Sequence, residues 1–140
     1  MDANFCAAHA YLVFAKFLNV VLSFTEDRNA TIEEMLVIGR KALAADGSDA
    51  FAHLAIAGAH LTRSDATPAI EALDRAIELN PSFSMAYNWL GDAHALVGET
   101  DKAMACAETA MRLSPADPQM SSFLVVAALA NILARRFDEA

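Results

Sequence analysis

The chain has 140 residues, 56% of them apolar, and a formal net charge of −8. That length fits one domain with ample core material, and the acidic balance leaves no basic patch to neutralise phosphates, which excludes nucleic acid as a partner of this domain. Two cysteines, Cys6 and Cys106, supply neither a disulfide framework nor metal-ligand spacing; each sits among alanines as a small buried thiol, and reduced thiols suit the cytoplasm.

The first element predicted is a helix from about Phe5 to Thr25. Its apolar run is long enough to span a bilayer. Lys16 near its middle would cost about 2.5–3.5 kcal/mol there, and Asp2 stands where a signal peptide would carry a basic start. The run is therefore read as a buried helix and not as a membrane span. After a polar loop at Glu26–Ala30, Thr31-Ile32-Glu33-Glu34 reads as a capping box that opens helix two. Helix two runs to about Ala45 and stops at Asp46-Gly47, where Gly47 would supply a left-handed residue.

Ser48 or Asp49 caps helix three, which ends near Arg63. Thr67-Pro68 opens helix four, since a proline at the first helical position forfeits no needed N–H; Asn80-Pro81 closes it. Helix five covers about Ser84–Val97 and stops at Gly98. Helix six covers about Asp101–Leu113 and stops at Ser114-Pro115. Helix seven follows Asp117-Pro118 and runs to about Arg135. No strand-like alternation interrupts them, and the short connections make sequential helices antiparallel neighbours.

A 34-residue repeat organises these elements. Laid without a gap over Ser84–Asp117, Ala50–Phe83 is identical at seven positions: Ala52/Ala86, Ala59/Ala93, His60/His94, Ala69/Ala103, Ala76/Ala110, Leu79/Leu113 and Pro81/Pro115. A self-match at this period marks a helical repeat array. Small residues at the eighth position (Ala57, Gly91), the twentieth (Ala69, Ala103) and the twenty-seventh (Ala76, Ala110) let helices approach closely, and the proline ends each unit. These residues resemble the tetratricopeptide repeat (TPR) family. The expected fold is all-α, a TPR-like α-solenoid of about seven helices. Residues 1–140 then form one domain with units at about 5–49, 50–83 and 84–117 and a truncated unit at 118–140. The later units are also similar to TPR arrays of bacterial regulators, namely winged-helix transcriptional activators and nucleotide cyclases, although no DNA-binding or cyclase segment is present.

The resemblance implies a groove lined by the first helix of each unit. In this sequence the corresponding positions are Phe51, Leu54, Gly58, Leu61 and Thr62 in one unit, and Met85, Asn88, Asp92, Ala95 and Leu96 in the next. None is Lys or Arg, which the family's clamp for a peptide carboxylate requires. An apolar or amphipathic protein segment fits Phe51, Leu54, Leu61, Met85 and Leu96 better. The alternative is that these side chains pack only against their own array.

Helix seven has almost no polar face. A terminal repeat should instead present one, so Phe123, Leu124, Val126, Leu129, Ile132 and Leu133 are expected to be covered, by a second copy or by further chain. This makes a homo-oligomer through residues 118–136 the expectation.

Nothing in the motifs points to chemistry. Glycine is too scarce for a phosphate loop, and no nucleophile stands in a recognisable context. The four histidines lack helix-spaced metal-ligand neighbours, and are read as packing residues. Asp92, Glu99 and Asp101 are read as a solvated rim. The expectation is a non-catalytic protein-interaction or oligomerisation module without a cofactor, a fragment of a larger bacterial regulatory protein; a sensing domain for a small apolar ligand and a structural spacer are the alternatives.

Overall fold

The computed structural model describes residues 12–116, except 14, together with residue 132. Helical residues 12–13 and 15–21 form α1. It is followed by α2 (Arg28–Ala45), α3 (Ala50–Thr62), α4 (Ala66–Leu79), α5 (Ser84–Leu96) and α6 (Thr100–Leu113). Helices α2 to α6 each pack on the next in chain order, and α3 also touches α5. The fold is all-α, with antiparallel two-helix units stacked in sequence.

The repeat is visible atom by atom at the turn inside each unit. The His60 carbonyl accepts from the N–H groups of Arg63 and Asp65, at 3.0 and 2.9 Å; the His94 carbonyl accepts from those of Val97 and Glu99, at 3.2 and 2.9 Å. Between them, Ser64 (φ 60°) and Gly98 (φ 78°) occupy the same left-handed position. Helix C-termini favour this conformation because it returns N–H groups to otherwise orphaned carbonyls.

The alanine positions do what close packing needs. Ala69, Leu73 and Ala76 on α4, and Ala103, Ala107 and Ala110 on α6, are fully buried at matching repeat positions. Each triplet follows i, i+4, i+7, which is one helix face. Helix α3 has most of its residues buried, because it is flanked by α2, α4 and α5.

Several local expectations change. Helix α2 starts at Arg28, capped by Asp27, whose Oδ1 accepts from the Ala30 N–H at 2.9 Å. The capping box at Thr31 does not form: Thr31 lies inside the first turn, its hydroxyl donates to the Asp27 carbonyl at 3.0 Å, and Glu34 pairs with Lys16 of α1. Asp27 wins because it stands one turn earlier with a charged acceptor, which suits the positive end of a helix. Gly47 is not left-handed; Asp46 ends the helix with an extended backbone and accepts from the Ser48 N–H at 2.9 Å. Helix α4 begins at Ala66, ahead of Thr67, with Pro68 still among the first residues whose N–H has no helical partner. Helix α1 is helical to residue 21, short of Thr25. Asp49, of the two candidates, caps α3, its Oδ1 accepting from Phe51 at 2.9 Å. The predicted helix seven lies outside the described residues apart from Ile132, which is exposed.

Candidate functional site

The face that α3 and α5 share with α1 is largely filled by the chain itself. Phe17 of α1 stacks on Trp89 of α5, with ring centroids 4.5 Å apart and planes tilted by 32°. Glycine at position 58 makes room for this: a Cβ there would come within 2.7 Å of both Met35 Cε and Trp89 Cζ3. Val13, Val20 and Trp89 are buried almost completely. Arg28 ties the same helices together, its guanidinium donating to the carbonyls of Thr62 and, at 3.4 Å, Val20.

This packing decides where each groove candidate sits. Leu54 and Asn88 have no exposed surface, and Leu61, Thr62 and Met85 are nearly as buried. Phe51 is half-buried and meets Phe83 edge to face at 4.7 Å. Only Leu96 is open, at 53% exposure. Of the self-association set, Phe123, Leu124, Val126, Leu129 and Leu133 lie outside the described residues.

Asp92 departs from the solvated rim expected of it. It is half-buried, and removal from water pushes its carboxyl up to about 7. It makes no hydrogen bond or ion pair among the described residues. On α5, Asn88, Asp92 and Leu96 fall at i, i+4 and i+8, so the carboxyl lies between a buried amide and an exposed leucine on one helix face. No sequence pattern marks this burial, since position 92 is glycine in the preceding unit.

Several other titratable groups are engaged in ion pairs or packing. His94 Nδ1 lies 2.6 Å from Glu99 Oε2, which also accepts through Oε1 from Lys102 at 2.8 Å. Those two bonds hold the Glu99 carboxyl below its usual range, and an ionised carboxylate can only accept, so the ring carries its proton on Nδ1. The repeat-equivalent pair, His60 and Asp65, is looser at 3.9 Å. Glu33 and Glu34, read from the sequence as capping residues, are instead ion-paired with Arg63 and Lys16. Burial first, then the charge of Asp74, pushes the Cys106 thiol up to about 11, which leaves it an inert packing group. Among the described residues no cluster of three or more His, Cys, Asp or Glu is placed to hold a metal. No described helix is long and apolar enough to cross a membrane.

An open depression of about 520 Å³ lies between α1 and α2, lined by Lys16, Ala30, Glu33, Glu34, Val37 and Ile38. It borders the outer surface of α2 and is not the enclosed chamber that a small apolar ligand would need.

Comparison with known proteins agrees with the repeat reading. The tetratricopeptide repeat profile matches residues 72–105. The second TPR domain of the human RPAP3 protein, solved by NMR in complex with the HSP70 peptide SGPTIEEVD, is 20% identical, with a TM-score of 0.64 over 90% of this chain and 98% of that one. The first TPR domain of the same human protein is 17% identical, with a TM-score of 0.69 over 94% of this chain and 99% of that one. At these identities the likeness establishes a TPR-like fold. No curated protein sequence matches the chain.

Proposed function

We propose that this chain is a non-catalytic protein-interaction module whose partner is an apolar or amphipathic protein segment, and that it serves a larger regulatory protein. The observation that carries this reading is the α5 face: Leu96 is exposed beside half-buried Asp92, at positions that line the groove in TPR arrays. A peptide-bound TPR domain of the same fold supports it. Phe51, Asp92 and Leu96 are the residues a partner touches first; Leu54, Leu61, Met85 and Asn88 form the floor beneath them.

The ligand type differs from that of the human relative. The HSP70 peptide in complex with that domain ends in Glu-Glu-Val-Asp. The ten groove positions of this chain hold no Lys or Arg, so nothing there matches clustered carboxylates. A parent protein among bacterial regulators rests on sequence resemblance; the two RPAP3 domains compared above are human. The proposed unit boundaries are 5–49, 50–83, 84–117 and 118–140. Self-association through residues 118–136 is the second arm of the proposal, and light scattering on the full chain tests it: a dimer mass is expected, and a monomer at high micromolar concentration would rule it out.

A structural spacer is the reading favoured by a different observation, the complete burial of Leu54 and Asn88. Photocrosslinking separates the two. A photoreactive residue at Leu96 should capture a protein partner that the same residue at Glu108, exposed on α6, does not. Equal labelling from both positions, or none from either, leaves the spacer.

A further inference from the structure

Asp92 is a half-buried carboxyl that has no hydrogen-bond or ion-pair partner among the described residues. Two other acids near its helix are engaged: Glu99 holds His94 and Lys102, and Asp65 faces His60. On the α1–α2–α3 side, Lys16 pairs with Glu34, Arg63 with Glu33, and Arg28 donates to backbone carbonyls. A partly desolvated carboxyl without a countercharge costs stability, and such unmatched groups concentrate at functional sites.

Resting on the interaction reading above, we propose that Asp92 is the docking acid of the α5 face and that it receives a single Lys or Arg side chain from an amphipathic partner helix, while Leu96 takes an apolar side chain one turn away. Three features set this chemistry. Asp92 and Leu96 are four residues apart on one helix, so a partner helix can present a cation and an apolar group at the matching i, i+4 spacing. No Lys or Arg occupies any groove position to compete for the carboxyl. The chain as a whole carries a net charge of −8, which favours approach of a basic segment over an acidic one. A cation brought to a partly dry carboxyl interacts more strongly than it would with a solvated one.

The test is a selection from a display library of randomised amphipathic helical 16-mers against the full chain, run in parallel against Asp92→Asn and Leu96→Glu. Lys or Arg should be enriched one turn from an apolar residue with the unaltered protein and not with Asp92→Asn. In the best selected peptide, replacing that Lys by norleucine should weaken binding at least tenfold to the unaltered protein and less than twofold to Asp92→Asn. Circular dichroism checks that both variants fold. Neutral or acidic enrichment, or a norleucine effect that persists in Asp92→Asn, overturns the assignment to Asp92 while leaving the groove reading intact. Selected peptides indifferent to Leu96→Glu, or no selection at all, overturn the groove reading and this assignment together.

Discussion

The Phe17 ring rests on the Trp89 ring at 4.5 Å, joining the first described helix to the fifth across a notch at Gly58. The contact brings together residues 72 positions apart in the chain. Two opposed effects govern Gly58→Ala. Helix propensity favours alanine by about 1 kcal/mol. Overpacking costs about 1–3 kcal/mol, and here the new methyl would face the Met35 tip and the Trp89 ring, both at 2.7 Å. The methionine can swing aside, but the ring is held by Phe17, so the strain should prevail by about 1 kcal/mol. Gly58→Leu should lose about 3 kcal/mol or more. Urea denaturation followed by intrinsic fluorescence measures both, because Trp89 is the only tryptophan in the chain.

Ser64 holds a left-handed backbone where the next unit has Gly98. A side chain in that region costs about 1–2 kcal/mol, and glycine returns part of the gain through its looser unfolded state. Ser64→Gly should therefore stabilise the fold by about 0.5–1 kcal/mol, and Gly98→Ala should weaken it by about 1 kcal/mol. Thermal melts of the two variants check the pair; equal and opposite signs are required.

Asp92 makes stability depend on pH. Its folded value is raised to about 7 from 3.8, so the folded state holds a proton that the unfolded state has already lost across that window. Stability is therefore unaffected by this group below about pH 4, falls as pH rises from about 4 to 7, and levels off above, a total of about 1–4 kcal/mol. Asp92→Asn should be more stable than the unaltered chain at pH 8 and nearly equal to it at pH 4. Chemical denaturation at the two pH values measures this, and a constant difference at both would remove Asp92 as the cause.

The repeat period was legible because it is chemical. Alanine at 69, 76, 103 and 110 is demanded wherever two helices meet closely, and all four are fully buried. Pro81 and Gly98 likewise mark boundaries that any helix of this length must have. The local cap at α2 was harder. Thr31-x-x-Glu34 is a valid capping box, and only the placement of Asp27 one turn upstream displaces it. The filled face was legible only as the alternative to an open groove. Leu54 and Asn88 are groove residues by repeat position, yet both are fully buried in an array where Phe17 reaches across to Trp89. That contact is a long-range outcome of packing, with no signature in either unit taken alone. The burial of Asp92 likewise has no signature, since the preceding unit has Gly58 at the same position.

The most direct measurement of the proposed function is an amide-resolved NMR titration of the full chain with the lysine-bearing peptide selected on the α5 face. Perturbations should centre on Asn88, Asp92 and Leu96, extend to Phe51, and leave the exposed residues of α4 and α6 unmoved. Shifts centred on α4 and α6, or on the depression beside Lys16 and Val37, would contradict it.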